Sequence, residues 1–179
     1  MPAVLRLGGQ VRPSLQHDDL VAVCFTTAMA AIWGEGVARA GSHDEIVREV
    51  ARMEASRHPR WVFWSAQADA KASVAEGLHL ARCWDIAEAH RLLVGGRDAD
   101  PALAWATVCR LPTADLPTAT RNDLFTFARE QDPRDDGDPE SPVRSDGYLR
   151  PEAVAGAWQS SAARVLAWAG TAMETATRQ

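Results

Sequence analysis

The sequence predicts an α/β protein, a sheet of short strands flanked by helices, on three observations. Short β-branched and apolar runs alternate with helical stretches through the first half of the chain. Helix-opening signals of the capping-box type follow the strand-like runs at two places. At 179 residues the chain is long enough to bury the core of one such domain.

Taken in order, residues 3–7 (AVLRL) and 20–27 (LVAVCFTT) read as strands bounded by Gly, Pro and Asp, and residues 29–38 (MAAIWGEGVA) as a third. Their short connections favour antiparallel neighbours, because a parallel crossover needs a dozen or more residues. Ser42 opens a helix with Glu45 completing its capping box, and Ile46, Val50 and Met53 form its buried face. His58-Pro59 ends it. Trp61-Val62-Phe63-Trp64 reads as a central strand, and Ser65 as the cap of a helix that stops at Gly77. Residues 79–84 form a further strand. Asp85 caps the next helix, with Glu88 closing a second capping box and Gly95-Gly96 ending it. Asp100-Pro101 starts a short helix carrying Leu103, Trp105 and Val108. Beyond Pro112 the pattern loosens, with one amphipathic fragment around Leu124, Phe125 and Phe127. Pro151 opens a last long helix, with Val154, Trp158, Val165, Leu166 and Ala169 on one face.

Composition narrows the partners. No apolar run reaches the ~20 residues of a membrane span, and the first residues lack the pattern of a secretory signal, so a cytoplasmic protein is expected. The net charge of −5 is concentrated in residues 128–147, with seven acids against three arginines. The remainder is close to neutral, whereas duplex-binding domains carry a basic surplus for the phosphates. Weak or no autonomous DNA binding is expected. Cys24, Cys83 and Cys109 are odd in number and far apart, and read as buried hydrophobes. His79, Cys83 and His90 lack the paired spacing of a zinc site. Gly8-Gly9 and Gly95-Gly96 lack phosphate-loop spacing, and Ser160-Ser161 lack a glycine elbow. Trp61, Trp64 and Trp105 sit in apolar runs and are expected in the core rather than stacked on bases.

The run WVFWSAQADAKASVAEGLHLARCWDIAEAHRLL resembles the centre of the proofreading 3′–5′ exonuclease domain of family A DNA polymerases. Ser65 stands where the second motif has Asn, Asp69 matches the motif Asp, Gly77 matches the turn and Asp85 the helix-opening Asp. The amino-terminal part of the actinobacterial bifunctional exonuclease/DNA polymerases is similar further along. The shared features are RWVFWSA, ARCWDIAEAHRLLVGG, Ala-Trp-Ala at 104–106, Asp-Leu-Phe at 123–125 and the Pro-Val-Arg-x-Asp-Gly-x-Leu-Arg-Pro pattern at 142–151. The resemblance covers about residues 60–165. It implies an RNase H-like mixed sheet flanked by helices. The exonuclease-like α/β core would span residues 1–111, a Pro-rich acidic linker 112–150, and a C-terminal helix packing on the core 151–179.

The family's reaction uses two divalent metals roughly 4 Å apart, held by several carboxylates. Residues 1–17 contain no acid to supply the first motif, and the first acids are Asp18 and Asp19. A second register, over residues 24–28, puts Thr26 and Ala28 at its two positions. For the third motif Trp158 fills the aromatic place, and Ser161 or Ala162 the place of the acid. Asp69 therefore stands alone of four. Asp69 and Asp85 read as vestiges of the catalytic set, and Ser65, Asp69 and Trp158 as the residues nearest to a nucleic-acid contact. For each carboxylate a plainer role competes, Asp69 favoured by the helix dipole and Asp85 as an N-cap.

The leading expectation is a catalytically degenerate exonuclease-like domain, a scaffold or docking module in replication or repair. Its partner would be a polymerase region in cis or in trans. No metal or other cofactor is expected under that reading. A residual nuclease would need Mg²⁺ or Mn²⁺ and ligands borrowed from Asp18, Asp19 or a partner. A stand-alone protein-interaction module is the third expectation.

Overall fold

The computed structural model of the chain describes residues 20–117 and 137–179. The predicted strand at 3–7, the Asp18-Asp19 pair and the fragment around Leu124, Phe125 and Phe127 lie outside the described residues. So do residues 128–136 of the acidic stretch.

Five strands form one mixed sheet: β1 (Leu20–Phe25), β2 (Ala30–Gly34), β3 (Val37–Gly41), β4 (Arg60–Phe63) and β5 (Cys83–Asp85). Their order is β3-β2-β1-β4-β5. β2 runs antiparallel to both its neighbours, whereas β1, β4 and β5 are parallel. Residues 29–38, read as one strand, are two. The pairing of Gly34 with Val37 leaves only Glu35 and Gly36 as the hairpin loop, and Gly36 adopts a φ of +70° that a side chain would resist. β4 is interior as expected, but the middle of the five is β1. The strand expected at 79–84 is shorter and later, and pairs through Cys83, Trp84 and Asp85.

The period-two alternation of the strands sorts their side chains into two cores. Val21, Val23, Ile32, Trp61 and Phe63 face α1 (His43–Arg57), which contributes Ile46, Val50 and Met53. Both halves of the Ser42–Glu45 capping box are present. Ala22, Cys24, Ala31, Val62 and Trp64 face the opposite side. There they meet Trp105 and Ala104 of α4 (Pro101–Val108) and Val165, Trp168, Ala169 and Ala172 of α6 (Ala162–Arg178). Small residues in the strands on this side let α6 lie close to the sheet. At Gly170 an added Cβ would come within 3.4 Å of the Trp33 ring. Trp61, Trp64 and Trp105 are buried, as their apolar runs predict.

Between β4 and β5 runs α2 (Ala66–Ala75), and after β5 comes α3 (Ile86–Val94). The cap of α3 is half of what the sequence suggests. Asp85 accepts from the Glu88 N–H at 2.9 Å, while the Glu88 carboxylate pairs with Arg91 at 2.7 Å instead of returning to the cap. The long helix expected from Pro151 is broken. Only Pro151–Val154 (α5) is helical before Gly156 turns the chain with φ +81°, and Ser161 then caps α6. Trp158 consequently lies in the connecting loop, buried, with its Nε1 donating to the Pro139 carbonyl and Arg164 over its ring. Of the cysteines only Cys24 is buried. Cys83 is exposed and Cys109 half-buried, because β5 is an edge strand and α4 ends at Cys109. Among the described residues, no helix is long and apolar enough to cross a membrane.

Candidate functional site

Because β1 and β4 are adjacent and parallel, their C-terminal ends emerge side by side. Phe25-Thr26 follows one and Trp64-Ser65 the other. In open α/β sheets the crevice at the carboxyl ends of the strands is where ligands bind. Asp69 sits one turn into α2, directly beyond Ser65. The segment Ala153–Gly156, together with Gln159, Pro101 and Trp168, closes the opposite wall. The resulting cleft has a volume of about 190 Å³.

Among the described residues Asp69 is the one ionisable group lining this cleft. Its Oδ2 accepts from the Ser65 N–H at 3.3 Å. Burial pushes its carboxyl up to about 7; the Ser65 N–H opposes that rise, Asp85 adds to it, and the Trp64 N–H opposes it. Cys24 lies beneath on β1, and its thiol is raised well above the ordinary value by burial and by the neighbouring Asp69 charge.

Asp85 is differently engaged. Parallel pairing of Phe63 with Asp85 brings its carboxylate to the start of α2, where Oδ2 accepts from the Ala66 N–H at 2.7 Å. Oδ1 accepts from the Glu88 N–H at the start of α3. One side chain thus caps two helices, and each carboxylate oxygen already faces a backbone donor.

The cleft brings Ser65 and Asp69 together, and Trp158 lies outside its lining. Thr26, one position of the second register, is on the cleft wall. Its hydroxyl closes the β1–β2 turn, donating to the Met29 carbonyl at 2.9 Å and accepting from the Met29 N–H. Ala28 is exposed on that turn. Ser161, one of the two residues expected at the place of the third-motif acid, is the N-cap of α6 and reaches Glu140, and Ala162, the other, opens that helix. His79 is exposed and His90 is buried on Thr107. Among the described residues no three His, Cys, Asp or Glu side chains gather as a metal site would require.

Sequence reasoning missed Gln159. The residue is buried and its Nε2 donates to the Ala153 carbonyl at 2.7 Å, leaving Oε1 buried without a partner. A polar side chain after Trp158, on what read as a helix face, gave no signal that the chain leaves the helix there.

Chemically, a carboxyl that titrates near 7 can take or give a proton at neutral pH. Holding two hard divalent cations is another matter, because each needs several oxygens. Among the described residues Asp69 is the one carboxylate of the cleft and does not provide them, and the Asp85 oxygens are directed at N–H groups. Among the described residues, the cleft does not offer the ligand set of a two-metal centre. Comparison of the chain with protein-family models, with curated proteins and with solved structures gave no match.

Proposed function

We propose that this chain is an exonuclease-like domain of RNase H-like fold without nuclease chemistry. In this reading it derives from an actinobacterial family A DNA polymerase and serves as a docking module for the polymerase region. The observation that carries the reading is the solitary acid of the cleft. Asp69 follows β4, and the residues near it on β1, on the turn after β1 and on the segment after α5 are Cys24, Thr26 and Gln159, none of them an acid. The order of elements also supports it: three strands, helix, strand, helix with Asp69, short strand, then a helix opened by Asp85. Leu92, Leu93 and Val94, all strongly exposed at the end of α3, favour a docking role over a free-standing enzyme.

The test is an end-labelled DNA assay with the full chain, alone and mixed with a polymerase region of that family, in Mg²⁺ and in Mn²⁺. Single-stranded and 3′-recessed ends should remain intact in every mixture, while the two proteins co-elute in gel filtration. Shortening of the 3′ end that disappears in Asp69→Ala would overturn the inactive half of the reading. Separate elution at micromolar concentrations would overturn the docking half.

A further inference from the structure

Several of the donors lining the cleft are already engaged. Thr26 donates its hydroxyl proton to Met29, Trp64 donates Nε1 to the Trp168 carbonyl at 3.1 Å, and Gln159 donates Nε2 to Ala153. The backbone N–H groups of Ala153, Val154, Ala155 and Gly156 all bond to carbonyls of their own turn. The same lining holds two acceptors, the Asp69 carboxyl and the buried Gln159 Oε1, which has no partner among the described residues. A Cβ built on Gly156 would stand 4.0 Å from that oxygen, which places it at the glycine wall of the cleft. Leaving a buried acceptor without a donor is destabilising, so it marks a place where a ligand's donor is favoured.

An anion does not suit this cleft. The N-terminus of α2 is the natural anion site, but Asp85 occupies the Ala66 N–H and Asp69 the Ser65 N–H. Among the described residues no Lys or Arg lines the walls. A bulky ligand is excluded by size, since a volume of about 190 Å³ lies below the ~300 Å³ at which pockets begin to hold drug-sized molecules. Phe25, Trp64 and Trp168 make the remaining walls aromatic and apolar, which strengthens the attraction of Asp69 for a compact positive charge.

We propose that the cleft between Asp69 and Gln159 binds a small organic cation with N–H donors, a guanidinium or ammonium head group. Asp69 supplies the counter-charge and Gln159 Oε1 a second acceptor. The idea goes beyond the docking role and is independent of it, because it needs neither DNA nor the polymerase region. The ionisable groups packed around the Asp69 carboxyl are Cys24 from β1 and Asp85 from the end of β5. The Cys24 thiol stays protonated through neutrality, and both Asp85 oxygens accept from backbone N–H groups and not from the cleft.

The experiment is amide NMR of the full chain titrated with methylguanidinium, with methylurea as its neutral counterpart and with MgCl₂. Methylguanidinium should shift the Ser65, Asp69 and Gly156 amides saturably, and methylurea should not. Only ionised Asp69 provides the counter-charge, so affinity should rise about tenfold between about pH 6 and pH 8 and then level off. Asp69→Asn, which keeps an oxygen for the Ser65 N–H, should abolish both the binding and its pH dependence. Absence of saturable shifts, equal binding of methylurea, or affinity independent of pH in the unaltered chain would each overturn the proposal. Mg²⁺ saturating the same amides would also overturn it, by making the cleft a metal site. The pH series uses the unaltered chain, so the test survives even if the variant does not fold.

Discussion

Asp69 is held where ionisation is costly, at the end of β4 among Cys24, Trp64 and the α5–α6 segment, with a carboxyl that titrates near 7. An acid whose folded value lies above its unfolded one binds more protons when folded, across the interval between them. Stability therefore falls as pH rises from about 4 to about 7 and is level beyond. The cleft opens to solvent, which reduces the penalty, so a contribution on the order of 2–3 kcal/mol is expected at pH 8. Asp69→Asn should match the parent chain near pH 4 and exceed its stability by that amount at pH 8, read as urea midpoints of the two proteins. A difference that stays constant across pH would disprove the burial argument. None of this penalty was legible in the sequence. Asp69 in the first turns of a helix reads as an ordinary dipole partner, and the lid over it comes from residues more than eighty positions away. Gln159 was illegible for the same reason, since its burial depends on a turn at Gly156 that interrupts an otherwise helical pattern.

At the scale of elements, Asp85 does the work of two caps. It was legible as one, because Asp followed by an apolar helix with Glu at the third position is a helix start. Its second bond, to the Ala66 N–H, depends on β5 lying parallel beside β4, a pairing that local sequence does not encode. Removing an N-cap costs about 1 kcal/mol, within a range of 0.5–2. Asp85→Ala should therefore destabilise the chain by about 2 kcal/mol, and Asp85→Asn, with one acceptor oxygen, by about half as much. Hydrogen exchange gives the sharper check: protection should fall at the starts of both α2 and α3. Loss confined to α3 would mean that Asp85 is an ordinary single cap. The boundaries that sequence misplaced share a cause. In residues 29–38 and again after Pro151, apolar content continues unbroken through a turn, at Gly36 and at Gly156, so composition conceals the reversal that the glycine permits.

For the whole molecule the question is whether the part after residue 137 belongs to the same cooperative unit as the sheet. α6 packs across β1, β2, β3 and β4, and Trp168 stacks on Trp64 with ring centroids 4.5 Å apart. The Trp64 Nε1 donates to the Trp168 carbonyl, and Gln179 at the far end of α6 meets both the Trp84 Nε1 and the Ile86 carbonyl. The apolar face of α6 was evident from Val165, Leu166 and Ala169, whereas its contact with Trp64, some hundred residues earlier, was not. Because Ala22, Cys24, Ala31 and Val62 are small, the sheet face beneath α6 is filled by large side chains from the helices. Trp168→Ala should then open a cavity against the sheet itself and cost about 3–5 kcal/mol. Val50→Ala, on the α1 side, should lower the same single transition. In both variants far-UV circular dichroism and tryptophan fluorescence should lose signal at one common denaturant midpoint. If Trp168→Ala instead separates the two probes, fluorescence moving first while the helix signal of α1 persists, α6 is an appended element. The cleft would then have a movable wall, since Trp168 and Gln159 close it from that side. A single transition means that the wall facing Asp69 is as rigid as the sheet, which a cleft matched to a small head group requires.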